Sequence, residues 1–159
     1  MDFITLLKEL NKKRIKYIVV GGIAINLHGI PRMTYDLDLI LDFTDSNIIK
    51  FVKLFKRLGY KPRVPVKIMD FAKKDKRERW IKKKNMKAFN LFNPSAIVRE
   101  VDIIMGSPVD YKIAKKNVIY VKLQNTTIPV IGIKDLIKMK KVTNRLQDNS
   151  DIRYLRRKV

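Results

Sequence analysis

The stretch Val20-Gly21-Gly22-Ile23-Ala24, followed by Thr34-Tyr35-Asp36-Leu37-Asp38-Leu39, decides the fold. An apolar run from Ile15 to Val20 predicts a buried strand, and the two glycines turn that strand into a short helix that ends near His28-Gly29. Strict alternation from Tyr35 to Leu41 predicts a second strand. Two strands joined through a glycine turn and a helix therefore form the first unit of the fold.

Two carboxylates lie on one face of the second predicted strand. Side chains alternate along a strand, so Asp36 and Asp38 share a face with Thr34 and lie about 7 Å apart. Such a pair can bind a divalent cation, and the spacing suits Mg²⁺. With Asp42 and Asp45, they place four of the 15 acidic residues of the chain within ten positions. The alternative is a half-exposed edge strand without a ligand, which the short motif alone would favour.

The glycine turn before this strand adds a second element of a site. Gly21 and Gly22 leave backbone N–H groups free at a helix N-terminus, and their missing side chains allow a phosphate to approach closely. Together with the carboxylate pair they provide a phosphate cradle and a cation clamp. The only histidine, His28, lies at the end of the same helix, where capping is the expected role and catalysis the alternative.

A third carboxylate lies in the segment Glu100-Val101-Asp102-Ile103-Ile104. Its apolar flanks predict a buried strand, in which an unpaired acid would be costly. The same metal ion is a natural partner for Asp102. Glu100 shares the strand face and is the alternative, but it lies at the strand entry, where water can reach it more easily.

The rest of the chain predicts alternating helices and strands. Helices are expected at residues 2 to 13, Asp45 to Leu58, Pro108 to Lys115, Ile133 to about Val142, and Gln147 to Arg156. Strands are expected at Asn85 to Phe92 and Ile97 to Met105, joined by a turn, and at Val118 to Leu123 and Thr126 to Val130, joined as a hairpin. We predict one α+β (α/β-like) domain over residues 1 to 159, with a single mixed central sheet flanked by helices and the C-terminal helices, about 133 to 156, packed on the core.

Composition narrows the class of protein. The chain has no cysteines, so disulfides and thiolate metal sites are excluded, and no apolar run approaches the roughly 20 residues that span a bilayer. The first residues lack the pattern of a secretory signal, so a cytoplasmic location is expected. The formal net charge of +21 favours nucleic acid, nucleotide phosphates or an anionic membrane surface as a partner. A Lys-rich, solvated surface is the plain alternative.

A basic tract between Phe71 and Lys87 is the candidate nucleic-acid surface. It carries nine basic and two acidic residues around a single tryptophan. Basic side chains around an aromatic ring suit a phosphate backbone and an unstacked base. The alternative is an exposed basic helix anchored in the core by its tryptophan. The candidate residues are Lys73, Lys74, Lys76, Arg77, Arg79, Trp80, Lys82, Lys83 and Lys84.

These motifs resemble the nucleotidyltransferase superfamily typified by DNA polymerase beta, poly(A) polymerases and aminoglycoside nucleotidyltransferases. The segment from Gly29 to Asp38, together with Val20-Gly21-Gly22-Ile23-Ala24, looks most like the minimal prokaryotic branch related to abortive-infection type II toxins. The C-terminal stretch is similar to the closing helices of that branch, and the likeness runs from about Ile15 to Leu155. The C-terminal residues that carry this similarity are Ile128-Pro129-Val130, Asp135-Leu136-Ile137, Lys140, Arg145, Asp148 and Asp151.

The resemblance implies a nucleotidyltransferase fold and transfer of a nucleoside monophosphate from an NTP, such as ATP, to an acceptor hydroxyl, with release of pyrophosphate. It implies that Gly21 and Gly22 bind the triphosphate. It implies that Asp36, Asp38 and Asp102 bind Mg²⁺ or Mn²⁺ and perform the catalysis. Three further residues, Arg32, Thr34 and Lys140, are candidates for nucleotide binding. For Arg32 an exposed loop arginine is the alternative, and for Lys140 a solvated lysine.

Three functions remain open from the sequence. The first is nucleotidylation of RNA, with transfer RNA as its specific form, as in the toxin relatives. The second is the same reaction on a protein partner, as in antitoxins that AMPylate a partner toxin. The third is a non-catalytic, basic nucleic-acid-binding protein. Asp148, Asp151 and Arg145 are expected to form structural pairs.

Overall fold

One sheet of seven strands, flanked by seven α-helices, organises the chain in a computed structural model that describes residues 1–159. In chain order the elements are α1 (Phe3–Lys12), β1 (Tyr17–Val20), α2 (Gly21–Leu27), β2 (Asp36–Leu41), α3 (Asp45–Arg57), β3 (Lys61–Pro62), a 3₁₀ helix (Ile68–Ala72), α4 (Lys74–Lys84), β4 (Ala88–Phe92), β5 (Glu100–Ile104), α5 (Tyr111–Lys116), β6 (Ile119–Leu123), β7 (Thr126–Val130), α6 (Ile133–Thr143) and α7 (Leu146–Arg156). The strand order is β3-β4-β5-β2-β1-β7-β6. Strands β1 and β7 are parallel, as are β2 and β5, and the other neighbours are antiparallel, so the predicted mixed sheet and α+β class are confirmed.

The predicted strand pairs are present, with differences at their ends. Strands β4 and β5 are antiparallel neighbours, and β6 and β7 form a hairpin around Gln124-Asn125, whose φ angles are +44° and +61°. Strand β4 begins three residues later than predicted because Asn85 adopts a left-handed conformation that ends α4. Helix α5 begins at Tyr111 because the Asp110 carboxylate accepts a hydrogen bond from the Ile113 amide and caps the helix.

The two faces of the central strands differ sharply. Leu37 and Leu39 of β2 and Val101 and Ile103 of β5 are fully buried on one face, as the alternation predicts. The residues between them, all acidic, lie on the opposite face. Helices α6 and α7 also contribute to the core, through Leu136 and Leu155 respectively.

Helix α4 packs on the apolar face of the sheet. Phe89 of β4 is opposite Ile103 in the strand register and therefore belongs to this face. The Trp80 ring of α4 stacks on Phe89 with ring centroids 5.4 Å apart, and Phe71 of the 3₁₀ helix stacks on it with centroids 4.5 Å apart. The sheet thus separates the body of α4 from the acidic face. None of the helices combines the length and the apolarity needed to cross a bilayer.

Candidate active site

The strand register brings the predicted carboxylates together. In the parallel pair of β2 and β5, Asp36 lies opposite Glu100 and Asp38 lies opposite Asp102. Directly opposed residues on one face have Cβ atoms about 5 Å apart, so each acid of β2 faces an acid of β5. On the other side of β5, Asn90 of β4 lies opposite Asp102. Four carboxylates and one amide therefore share a small area of the sheet.

Three of these carboxylates, Asp36, Asp38 and Asp102, line a cleft of about 640 Å³. The cleft is bounded by the start of α2, the loop before β2, the segment after β5, and helix α6 with the turn that follows it. All the residues predicted for catalysis or nucleotide binding line it: Gly21, Gly22, Arg32, Thr34, Asp36, Asp38, Asp102 and Lys140. No motif of the sequence predicts the other residues of the lining, which include the apolar Met105, Pro108, Leu136, Met139 and Val142 and the polar Lys87 and Ser107.

The glycine turn is in direct contact with the carboxylates. Gly21 has a φ of +66°, which favours glycine, and a Cβ at this position would lie 1.9 Å from Oδ2 of Asp38. A Cβ on Gly22 would lie 2.6 Å from the Thr34 hydroxyl oxygen. Helix α2 begins at Gly21 itself. The two glycines thus allow the helix N-terminus to approach Asp38 and Thr34 more closely than any other residue would permit.

Burial and mutual repulsion perturb the acidic cluster. Burial, together with the negative charges of Asp102 and Asp36, raises the pKa of Asp38 to about 7, although Lys140 and the Gly22 N–H act against the shift. Burial also raises the pKa of Asp102, while a hydrogen bond from Asn90 opposes this and the charges of Asp36 and Glu100 add to it. The pKa of Asp36 is raised by burial and by Glu100. The nearby cations therefore do not neutralise the negative charge that the carboxylates of this cluster would carry when ionised.

The donor set of the cluster fits a hard divalent cation. Carboxylate oxygens are the ligands of Mg²⁺ and Mn²⁺, and Asp36, Asp38 and Asp102 bring three carboxylates to the cleft. Asn90 contacts Asp102 through its Nδ2, while its buried Oδ1 has no hydrogen-bond partner and Asn90 itself is not part of the cleft lining. The side chains are not already gathered around a point, since no three acidic or histidine residues form a ready metal-binding group. Side-chain rotations of Asp36, Asp38 and Asp102 would therefore have to accompany metal binding.

Two solved structures of other proteins share this architecture. The structure of the lincosamide antibiotic adenylyltransferase LnuA with bound lincomycin matches 98% of this chain and 95% of its own, with a TM-score of 0.66 and 14% sequence identity. A Thermotoga maritima protein assigned as a nucleotidyltransferase matches all of this chain and 97% of its own, with a TM-score of 0.54 and 15% identity. The chain has a nucleotidyltransferase fold. No protein-family model and no curated protein matches the sequence, and the resemblance to the abortive-infection branch stays a prediction.

Within this nucleotidyltransferase fold, Glu100 and Asp102 have different surroundings. Glu100 is paired with Arg63, whose guanidinium lies 4.0 Å from the centre of the Phe92 ring, and it does not line the cleft. Asp102 lines the cleft and accepts a hydrogen bond from Nδ2 of Asn90. The geometry favours Asp102 as the third carboxylate, because Glu100 already has a cationic partner.

Two of the predicted phosphate-binding cations are engaged in a buried ion-pair network. The Lys140 amine lies 2.8 Å from Asp151 and 3.2 Å from Asp148, and Lys140 is only 5% exposed. Arg32 lies 3.0 Å from the same Asp151 carboxylate. Lys140 is therefore not a solvated lysine, and Arg32 is not a free loop arginine. Both line the cleft, but their charges also hold α7 against α6 and the loop before β2.

Asp148 is the most strongly stabilised acid of this network. Burial would raise its pKa, but hydrogen bonds from Thr143 and from the amide and guanidinium of Arg145, with the charge of Lys140, lower the pKa to about 2. The expected structural pairing of Asp148 with Arg145 is thus present. His28 also has a structural contact, because its ring lies 2.7 Å from the Ile131 carbonyl oxygen and it caps α2.

Replacing Lys140 with Met should lower the free energy of unfolding by about 3 kcal/mol, because Asp148 and Asp151 would lose a buried counter-charge. Chemical denaturation at pH 7 would measure this. Lys141→Met on the same helix is the matched control, since Lys141 is exposed and has no ion pair. Equal stability of the two variants would contradict a structural role for the Lys140 network.

The structure corrects the predicted nucleic-acid surface at two positions. Trp80 is only 5% exposed and stacks on Phe89, so it anchors α4 in the core and cannot receive a base. Arg77 is also 5% exposed, and its guanidinium donates to the Phe71 carbonyl oxygen at 2.7 Å. A tryptophan within a basic helix is thus a core anchor here, which was the alternative interpretation.

The remaining basic residues of this tract differ in their pairing. Lys73 and Lys76 lie 3.4 Å and 2.8 Å from Asp70, and Lys74 lies 3.9 Å from Glu78. The other candidates, Arg79, Lys82, Lys83 and Lys84, are exposed and have no ion pair. They remain candidates for a basic surface, on the side of the sheet away from the acidic cluster.

Proposed function

We propose that this protein is a metal-dependent nucleotidyltransferase that moves a nucleoside monophosphate from an NTP to an acceptor hydroxyl. The observation that carries the proposal is the register of Asp36 and Asp38 with Asp102, directly beside the Gly21-Gly22 helix start, in one cleft. Carboxylates that repel each other lower the stability of a fold unless a ligand relieves the repulsion. A cation with a nucleoside triphosphate is the ligand that matches both halves of this site.

In this reaction the acceptor oxygen attacks the α-phosphorus, the bond from that phosphorus to the bridging oxygen breaks, and pyrophosphate leaves. Asp36 and Asp38, with Asp102, would hold Mg²⁺ or Mn²⁺, which stabilises the charge on the incoming and leaving oxygens when bound. The amides at the start of α2 would face the phosphates. Asp102, which lines the cleft on the strand next to Asp36 and Asp38, would accept the acceptor proton.

RNA is the acceptor that fits the positive charge of the protein. In its specific form, the proposal is that the acceptor is transfer RNA and that the protein acts as a toxin. The cleft lining carries equal numbers of acidic and basic side chains, so the net charge of +21 lies on the surface outside the cleft. Positive charge outside the cleft supports a polyanionic acceptor, because neutralised phosphates release counterions. A protein acceptor, as in AMPylating antitoxins, gives this charge no comparable role.

A small-molecule acceptor is the second candidate, and one observation favours it. LnuA, which matches nearly the whole chain, is an adenylyltransferase with bound lincomycin. The apolar wall formed by Met139, Val142 and Pro108 would suit a compact, partly apolar acceptor. This candidate ranks second because the binding of a small neutral acceptor does not require the large positive charge of the protein.

A labelling assay tests the proposal. Each of the four α-³²P-labelled NTPs with Mg²⁺ would be offered with total RNA, with a cell lysate cleared of RNA, and with lincomycin. We expect label in RNA, no label after EDTA, and none with the Asp36→Ala, Asp38→Ala double variant. Asp75→Ala is the matched control, because Asp75 is an exposed aspartate of α4 outside the cleft. Label on a protein band or on lincomycin, and none in RNA, would contradict RNA as the acceptor and identify the labelled molecule in its place. No label on any acceptor would contradict the proposed nucleotidyltransferase activity.

A further inference from the structure

Helices α6 and α7 present a surface on which every acidic side chain is hidden. The segment from Ile133 to Val159 contains nine basic and three acidic residues. The three acids, Asp135, Asp148 and Asp151, are at most 3% exposed. All of the basic residues except Lys140 are exposed. Every exposed charged side chain of this helix pair is therefore cationic, whereas α4 exposes Asp75 and Glu78 among its lysines.

The helix pair also borders the candidate active site, which the body of α4 does not. Val142, Thr143 and Arg145 line the cleft at the turn between α6 and α7. Helix α4 packs through Trp80 on the face of the sheet opposite the carboxylates. The body of α4 lies behind the sheet, and of its basic tract only Lys87, beyond the end of the helix, lines the cleft, whereas the turn between α6 and α7 lines the cleft directly.

A second cavity lies at the far end of α7. It has a volume of about 420 Å³, and three of its lining residues are Tyr154, Arg157 and Lys158. The rest of the lining is the loop from Gly29 to Pro31, and the next residue, Arg32, lines the active-site cleft. One short loop therefore separates the two cavities. No acidic residue lines the second cavity.

The side chains of the second cavity match the chemistry of single-stranded nucleic acid. Tyr154 is 50% exposed, and the Arg157 guanidinium lies 5.5 Å from the centre of its ring. The Lys158 amine lies over Gly29, at 3.3 Å from the position a Cβ would occupy there. An exposed aromatic ring beside two cations is the arrangement that stacks a base and binds the adjoining phosphates.

We infer that the acceptor RNA docks on the α6–α7 surface, with an unpaired nucleotide in the cavity of Tyr154, Arg157 and Lys158 and its reacting end in the cleft. This inference rests on the proposal that RNA is the acceptor. It places the RNA on the C-terminal helices, whose basic residues from Ile133 to Val159 form a second basic tract of the sequence, and not on the candidate residues of α4.

RNA binding without catalysis tests this surface. Fluorescence anisotropy with a 5′-labelled RNA that has a single-stranded 3′ end would be measured in EDTA, across a range of KCl concentrations. The variant replaces Arg153, Arg156, Arg157 and Lys158 with Gln. The matched control replaces Arg79, Lys82, Lys83 and Lys84 of α4 with Gln and removes the same charge. Circular dichroism would verify that both variants are folded.

We expect the C-terminal variant to flatten the dependence of log Kd on log [KCl] by about 3, since each lost contact to a single strand contributes roughly 0.7. The α4 variant should keep the wild-type slope. Tyr154→Ala should weaken binding roughly tenfold, and Tyr154→Phe should retain it, because stacking needs only the ring. Equal slopes for the two charge variants, or unchanged binding by Tyr154→Ala, would overturn the inference.

Two further outcomes separate this inference from the proposed function. Tight binding to phosphatidylserine vesicles with the same variant pattern, and no binding to RNA, would overturn the docking of RNA and assign the surface to a membrane. RNA binding that follows the expected pattern, together with no nucleotide transfer in the labelling assay, would support the surface while contradicting the enzyme.

Discussion

Replacing Asp38 with Asn should abolish nucleotidyl transfer and, in the metal-free protein at pH 8, make the fold more stable. The folded state holds the pKa of Asp38 at about 7, against an ordinary value of 3.8. Between these values the unfolded chain loses its proton while the folded protein keeps it, so wild-type stability falls as the pH rises from about 4 to 7. An asparagine has no charge to repel Asp102 and can still accept a hydrogen bond from the Gly22 amide.

The expected gain is about 2 kcal/mol at pH 8, or roughly 5 °C in Tm, and it should vanish near pH 4. Thermal unfolding in EDTA at several pH values would measure it, with Asp75→Asn as the control that changes neither quantity. Mg²⁺ should raise the Tm of the wild type at pH 8 and have little effect on Asp38→Asn. We expect transfer to fall by about three orders of magnitude. An Asp38→Asn variant that is less stable than the wild type at pH 8 would show that the cluster is not repulsive.

The sequence patterns predict the long helices and strands of the fold but not its shortest elements. The elements with clear periodicity, such as β2 and α3, were predicted to within a residue or two of their ends, because alternation and apolar spacing are local properties. Strand β3, with two residues, and the 3₁₀ helix are too short to produce a period. Their existence depends on contacts with β4 and α3 that no local pattern records.

The candidate site was predictable in its residues but not in its geometry. Asp36 and Asp38 were identified by their strand face, and Asp102 by the cost of a buried acid. The pairing of β2 with β5 joins segments about sixty positions apart, so the opposition of Asp38 and Asp102 is a property of topology alone. The same applies to Lys140, whose partners Asp148 and Asp151 lie on the next helix.

The basic tract was misread at Trp80 because composition does not distinguish the two sides of a short helix. Charged residues surround Trp80 in sequence, yet one turn of α4 directs it against Phe89. A basic helix needs an apolar anchor, and in α4 the aromatic residue is that anchor. Tyr154, by contrast, lies next to the buried Leu155 and is itself half exposed. An aromatic residue in a basic segment therefore indicates a stacking site only when the structure leaves its ring accessible.

Under the proposed function, replacing Gly21 with Ala should abolish nucleotidyl transfer by displacing the Asp38 carboxylate. The φ of +66° at Gly21 is strained for alanine by about 1–2 kcal/mol. The added Cβ would lie 1.9 Å from Oδ2 and 2.9 Å from Cβ of Asp38, so the clash cannot be relieved by moving the carboxylate tip alone. Strand β2 or the start of α2 must shift, and either movement separates the phosphate cradle from the carboxylates.

Gly59→Ala is the matched control for Gly21→Ala. Gly59 follows α3 with a φ of +85°, and a Cβ there would meet only the amide end of Asn93, at 3.3 Å. Both variants should lose a similar 1–2 kcal/mol through backbone strain, but only Gly21→Ala should lose transfer, by about a hundredfold or more. Single-turnover labelling at 15 °C compares them, with circular dichroism to verify that both variants are folded. If Gly21→Ala kept the activity of Gly59→Ala, the close approach of α2 to Asp38 would have no part in catalysis.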